Sequence, residues 1–214
     1  MSTSTTTLSA EQLEKSFSGP PLFTGLDLRV GGGLLAVAGR NGSGKTTLLK
    51  ILAGLLRPSA GRVRVERDGA PLAGEARRLA VGWAGPDLSF YGELTALENL
   101  RFFRRAAGRT ADDRELTGRL SETGLAEEAI GRPVEEFSTG MRQRLRVAFA
   151  LLFDPPILVL DEPMAGLDTD GREMVQGVVE RARARGGVVL ASNEERDFVR
   201  PDHRIDLSAV RASR

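Results

Sequence analysis

Residues 39–46 read Gly39-Arg40-Asn41-Gly42-Ser43-Gly44-Lys45-Thr46, a complete phosphate-binding loop of the form GxxxxGK[ST]. A triphosphate carries several negative charges on tetrahedrally arranged oxygens. Backbone N–H groups can surround it only where the chain curls tightly, and glycine permits that curl. A helix following the loop aims the positive end of its dipole at the same oxygens. In this pattern Lys45 reaches the β/γ oxygens and the Thr46 hydroxyl is placed to ligate Mg²⁺, with Thr47 beside them. A glycine-rich turn that merely resembles the motif is the alternative, and the flanks weigh against it. Leu34 to Ala38 precede the loop as a buried strand would, and Leu48, Leu49, Ile51, Leu52, Leu55 and Leu56 follow with helical spacing. That spacing predicts a helix ending near Arg57-Pro58. The chain has only three lysines, Lys15, Lys45 and Lys50, yet one stands at the required position.

A length of 214 residues suits one α/β domain with a substantial core. The net charge is +1 with acids and bases interspersed, which excludes the clustered basic face of a nucleic-acid binder. Without cysteine there is no disulfide framework and no thiol chemistry. No apolar stretch approaches the roughly 18–20 residues that span a bilayer. The polar segment Met1 to Thr7 lacks a signal peptide's apolar region and reads as a disordered lead-in, with 8–214 forming a single domain. The expectation is a chain soluble by itself, compatible with the cytoplasm, whose membrane role, if any, comes through a partner.

Leu26, Leu28 and Val30 alternate with Asp27 and Arg29, and Val63 and Val65 alternate with Arg64 and Glu66, as half-buried strands do. Leu79 to Ala84 reads as another strand. Thr95 with Glu98 is a capping-box pattern opening a helix that continues to Ala107. Asp112–Leu120, Thr139–Leu152 and Asp170–Arg185 read as further helices, and Val188 to Ala191 as a final buried strand. The helix-rich stretch of about 93–152 lies between two α/β parts. It therefore predicts a helical subdomain inserted into a core.

Ile157-Leu158-Val159-Leu160 is an all-apolar run typical of a central parallel strand, and it ends in Asp161-Glu162. Beside a phosphate loop, Asp161 completes a Mg²⁺ site and Glu162 is placed to polarise a water for in-line attack on the γ-phosphate. An acidic turn after an ordinary strand is the alternative, and it is favoured only when the loop is ignored.

Together these segments resemble the nucleotide-binding subunit of the ATP-binding-cassette (ABC) transporter family. Ser138-Thr139-Gly140-Met141-Arg142-Gln143-Arg144 is similar to its signature motif, and Ala165-Gly166-Leu167-Asp168 to the loop that follows the catalytic glutamate. Phe17 stands where the family stacks an aromatic ring on adenine, although a core aromatic is the other reading. Glu93 to Leu100 resembles the start of the helical subdomain. The resemblance implies an α/β P-loop NTPase with an ABC-type core, an N-terminal antiparallel β subdomain and an inserted helical subdomain. It implies ATP and Mg²⁺ as cofactors, and Glu162 and Lys45 as catalytic residues. It also implies that Ser138, Thr139, Gly140 and Met141 meet ATP bound to a second cassette, with Asp168 at that interface. The implied partners are another cassette, identical or different, and an integral membrane subunit, at the cytoplasmic face of the cell membrane. Short similarity extends to the small cassettes of cytochrome c biogenesis haem exporters and of ABC-2-type exporters.

Three departures bear on rate. The stretch Gly82-Trp83-Ala84-Gly85-Pro86-Asp87 has no Gln where the family has one; Pro86 or Asp87 falls at that position, and either Asp87 substitutes or the contact is absent. Asn193 occupies the switch position where a His normally contacts the γ-phosphate. The chain's single His, His203, reads as a surface residue. The signature has Thr139 and Met141 where Gly and Gln are usual. Asn donates a hydrogen bond but carries no proton's charge near pH 7. Losing such an electrostatic contact costs on the order of 10²–10³ in rate. Binding of ATP is therefore expected to be intact and hydrolysis slow or partner-dependent. An ATP-gated module that dimerises with little turnover is the second reading. A translation or repair ATPase would carry two cassettes or coiled-coil inserts, and a small-molecule kinase would not need the signature segment.

Overall fold

The computed structural model describes residues 4–208. Two sheets and a group of helices are assembled from a simple order of elements. The first part runs β1 (Thr6–Lys15), β2 (Phe23–Val30), β3 (Gly33–Ala38), α1 (Lys45–Leu52), β4 (Ala60–Arg67), β5 (Ala70–Pro71), α2 (Gly74–Leu79) and β6 (Val81–Ala84). Four helices follow: α3 (Ala96–Ala106), α4 (Asp113–Glu122), α5 (Glu127–Ile130) and α6 (Thr139–Ala150). The chain then returns to the core with β7 (Ile157–Asp161), α7 (Thr169–Arg185), β8 (Gly187–Ala191) and β9 (His203–Asp206).

One sheet is antiparallel, in the order β2-β1-β4-β5, and the other is parallel, in the order β6-β7-β8-β3-β9. Alternation decides the first. In β2, Phe23, Leu26, Leu28 and Val30 turn inward while Asp27 and Arg29 face out. The parallel sheet is covered on both faces, so its strands are continuous apolar runs. Leu35 and Val37 of β3 join the core beneath α1 and the antiparallel sheet, whereas Leu34, Ala36 and Ala38 join the core beneath α6 and α7.

Helix α6 ties the helical part to the sheet. Its Val147, Ala150 and Leu151 pack on the parallel sheet, while Leu145 and Ala148 pack with Leu100, Leu116 and Leu120 in a third cluster. Helix α3 opens with the expected capping box. The Glu98 N–H donates to the Thr95 hydroxyl at 3.2 Å, and the Thr95 N–H donates to Glu98 Oε2 at 2.9 Å.

Four sequence expectations shift. The segment Met1 to Thr7 is not a disordered lead-in throughout. Strand β1 begins at Thr6, and Asp68 accepts from the Ser4 hydroxyl and the Thr5 N–H. Residues 1–3 lie outside the described residues. Helix α1 stops at Leu52, not near Arg57. Gly54 takes the left-handed φ of 79°, and the Leu55 N–H closes back on the Lys50 carbonyl at 2.8 Å. Leu55 matches the helical spacing but is 58% exposed. Leu79 ends helix α2, so the strand starts only at Val81; a short apolar run does not by itself separate helix from strand. The strand after β8 was not anticipated either. His203, Arg204 and Asp206 are polar and exposed and only Ile205 packs on the core, so it is backbone pairing with β3 that makes this segment a strand. His203 itself is exposed.

Candidate functional site

Parallel pairing brings three strand ends abreast. Val37 of β3 pairs with Ala191 of β8, and Ala191 pairs with Asp161 of β7. The chain segments leaving these ends are the glycine-rich loop, Glu162, and Ser192-Asn193. They meet around a cavity of about 260 Å³ lined by Leu22, Asn41, Gly42, Gly44, Lys45, Thr46, Thr47, Asp161, Glu162 and Asn193. Such a crevice at the carboxyl ends of parallel strands is where α/β folds bind ligands.

The loop is shaped by its glycines. Gly44 caps α1 with a left-handed φ of 100°, and a Cβ there would press on Leu22 at 3.3 Å. The Ser43 N–H donates to the Arg40 carbonyl at 3.0 Å, which closes the curl. Ser43 is buried and its hydroxyl has no partner. Lys45 is buried too. Its ammonium donates to the Gly39 carbonyl at 2.7 Å and to Asn193 Oδ1 at 2.8 Å. Asn193 therefore spends its acceptor on Lys45 and keeps its Nδ2 donors for the cavity.

Asp161 is 1% exposed, and neither of its carboxylate oxygens has a hydrogen-bond partner. Burial pushes its carboxyl above the usual range, with the Thr46 hydroxyl and the Lys45 charge opposing. Two orphaned oxygens beside a hydroxyl are a donor set that a hard divalent cation such as Mg²⁺ accepts, so these residues fit that ion. Glu162 holds a left-handed φ of 50°, unusual for a residue with a side chain. Its backbone is pinned on both sides: its N–H donates to the Ala191 carbonyl at 2.9 Å, and Gln143 Nε2 donates to its carbonyl at 3.1 Å. Its Oε1 is buried without a partner, while Oε2 accepts from the Ser192 hydroxyl at 3.3 Å. Burial raises this carboxyl as well. A carboxylate so poorly solvated is a stronger base than one in water.

Asp87 lies at the junction that lacks a Gln, and it is paired with Lys50 of α1 at 2.7 Å. From the other side Arg146 of α6 grips the same segment. Its Nη2 donates to the Pro86 carbonyl at 3.1 Å and its Nε to the Leu88 carbonyl at 3.3 Å. Its Nη1 also donates to Gln143 Oε1 at 3.1 Å, and Gln143 in turn holds Glu162. Sequence reasoning missed Arg146 and the role of Gln143. The available signal was that both lie on the helix opened by the signature-like segment, one turn apart.

The remaining expected residues stand away from the cavity. Ser138 caps α6, its hydroxyl accepting from the Met141 N–H at 3.2 Å, and Ser138 and Thr139 are exposed. Gly140 packs against the Gly166 carbonyl, where a Cβ would come to 3.4 Å. Asp168 caps α7 by accepting from the Gly171 N–H at 2.9 Å, and it pairs with Arg144 of α6 at 3.1 Å. Phe17 is no core aromatic. It is 65% exposed, with the Lys15 ammonium 4.7 Å from its ring centroid.

The family model described as ABC transporter matches residues 25–165. A cytochrome c biogenesis ATP-binding export protein CcmA of Aromatoleum aromaticum is 37% identical over 196 residues, covering 89% of this chain and 90% of that protein. A daunorubicin resistance ATP-binding protein, DrrA3, of Streptomyces coeruleorubidus is 36% identical over 198 residues. That match covers 88% of this chain but only 60% of the longer relative. Among solved structures, a dimeric bacterial ABC transporter cassette superposes with a TM-score of 0.80 at 21% identity over 93% of each chain, a likeness of fold.

Proposed function

Because the chain belongs to the ABC transporter family, we propose that it is the ATP-binding and ATP-hydrolysing subunit of an exporter, driving transport through a separate transmembrane protein. No helix among the described residues is long and apolar enough to cross a membrane, so in this reading the spanning part belongs to the partner, on which the subunit docks at the cytoplasmic face. One observation carries the reading: the parallel sheet gathers Lys45, Thr46, Asp161 and Glu162 around one cavity, with the carboxylate oxygens of Asp161 left without partners.

In this reading the loop amides of residues 39–46 and the α1 dipole hold the phosphates of ATP. Lys45 leaves its resting contacts with Gly39 and Asn193 to reach them. Thr46 and Asp161 hold Mg²⁺, which supplies charge neutralisation on the phosphate oxygens when bound. Glu162 accepts a proton from water through its unpartnered Oε1, and the water oxygen bonds to the γ-phosphorus as the bond to the β-phosphate bridging oxygen breaks. The products are ADP and inorganic phosphate. Asn193 offers its amide donors to the γ-phosphate without adding charge. Phe17 is exposed and able to stack on adenine. Ser138, Thr139, Gly140 and Met141 serve a second cassette: Ser138 and Thr139 are exposed, Gly140 and Met141 are half-buried beside them, and none of the four lines the Lys45 cavity of the same chain. Asp168 links that segment to α7 at the same interface, so two cassettes close on two ATP molecules.

The second reading, an ATP-gated dimerising module with little turnover, is favoured by Asn193 and by Asp87, which is tied to Lys50. The deciding experiment purifies the protein in mild detergent with whatever membrane protein accompanies it and measures ATP turnover of the assembly. Turnover that Glu162→Gln abolishes supports the transport ATPase. An assembly that binds ATP and dimerises but does not turn over leaves the gated module.

A further inference from the structure

Asp197 is only 4% exposed, yet it lies outside the cavity and takes no part in holding ATP or attacking it. It ends a single 3₁₀ turn, residues 195–197, shortly after β8. A buried carboxylate persists when it is both paired and hydrogen-bonded. Here Arg172, in the first turn of α7, donates Nη1 to Oδ1 at 2.7 Å, and the Ser192 hydroxyl reaches Oδ2 at 2.5 Å. The turn does not need the Ser192 contact to hold its shape. The Asp197 N–H already donates to the Glu194 carbonyl at 3.1 Å, and the Phe198 N–H to the Glu195 carbonyl at 3.1 Å.

The Ser192 hydroxyl has a fuller set of neighbours than a simple anchor requires. It accepts from the Glu194 N–H at 3.0 Å and lies between two carboxylates, Asp197 Oδ2 at 2.5 Å and Glu162 Oε2 at 3.3 Å. It owns one proton and two carboxylates compete for it. Arg172 weakens the claim of Asp197 by neutralising its charge, so the hydroxyl is held in place by one carboxylate while available to the other. It makes the one side-chain hydrogen bond of the Glu162 carboxylate among the described residues. That contact is made at Oε2, while Oε1 stays buried without a partner beside the cavity that Glu162 lines.

We infer that Ser192, steered by Asp197 and Arg172, is the positioning residue that fixes which Glu162 oxygen faces the attacking water. The inference rests on the ATP-hydrolysis reading above.

The test uses the full chain, with its membrane partner if that is needed for turnover. Ser192→Ala is expected to lower kcat about tenfold, the worth of one hydrogen bond to a charged group, while ATP affinity stays within about twofold. Ser192→Thr, which keeps the hydroxyl, is expected to restore the rate. Asp197→Asn is expected to lower kcat in the parent protein but to add nothing to Ser192→Ala, since both act through one hydroxyl. Unchanged kcat in Ser192→Ala, failure of Thr to restore it, or additive effects overturns the inference. Crystal structures of the parent protein and Ser192→Ala give a readout independent of turnover. A Glu162 carboxylate displaced in the variant supports the inference, and one left in place overturns it. If the parent protein shows no turnover at all, the hydrolysis reading fails and the crystal structures alone judge the positioning.

Discussion

Replacing Asp161 by Asn separates what this carboxylate costs the ligand-free protein from what it contributes to binding. Asp161 is 1% exposed and both of its oxygens lack partners. A buried charged group left without a partner costs about 1–3 kcal/mol or more. The Lys45 charge returns part of this, and the Asn amide, still polar and unpartnered, retains part of the penalty. The net expectation is that Asp161→Asn stabilises the ligand-free protein by about 1 kcal/mol, a rise in Tm of about 2–4 °C for a domain of this size. Adding Mg²⁺ and ATP at about a hundredfold above Kd stabilises the parent protein by about 2.7 kcal/mol, or about 5–11 °C. The amide is a poor ligand for Mg²⁺, so the variant gains less and the order of stability inverts. The pH dependence has a definite sign. Burial raises the folded carboxyl above its unfolded value, so the folded state holds the proton more tightly and the parent protein loses stability as pH rises through the folded pKa. The advantage of the variant is therefore full at neutral pH and shrinks as the medium is acidified. Scanning calorimetry at neutral and mildly acidic pH, with and without Mg²⁺ and ATP, reads all three effects. A variant less stable than the parent without ligand, or one with an undiminished Mg²⁺-ATP shift, refutes the reasoning.

Phe17→Ala is expected to weaken ATP binding about 3–10-fold through loss of aromatic stacking, with little change in Tm because the ring is exposed; titration with a fluorescent ATP analogue checks it. Asn193→His should raise phosphate release about 10²–10³-fold at saturating ATP, and an unchanged rate sinks the view that the missing charge limits turnover. Arg146→Met removes the donors that hold the Pro86 and Leu88 carbonyls. Hydrogen exchange of the Gly85, Asp87, Leu88 and Ser89 amides should quicken about tenfold while exchange in β7 and β8 is unaltered.

Much of the site was legible because local spacing dictates it. A phosphate loop needs glycines and a lysine at fixed offsets, so Lys45 and Thr46 stand out in any context. Asp161 stands out because an apolar run ending in an acid reads as a central strand with its carboxylate at the rim. The capping box at Thr95 is likewise a matter of three residues. What escaped were contacts between segments distant in the chain. Leu22 borders the cavity only because β2 folds beside the loop, and Arg146 meets Pro86 across 60 positions. Strand β9 escaped because its strand character comes from pairing with β3 rather than from composition. The end of α1 was misread for another reason: Leu55 continues the apolar period, but Gly54 turns left-handed and releases it to solvent.

Short segments of the chain already carry the chemistry available, since glycine freedom, one lysine and a strand-terminal acid are local properties. The tertiary structure decided how that chemistry is arranged. Parallel register sets Asp161 beside Ala191 and Ala191 beside Val37, so three loops from distant parts of the chain share one cavity. Burial then strips Asp161 and Glu162 of water, and a single hydroxyl on Ser192 lies between two carboxylates 35 positions apart at their furthest. Desolvation and the division of one proton depend on what surrounds a group in space, and no stretch of sequence carries that information.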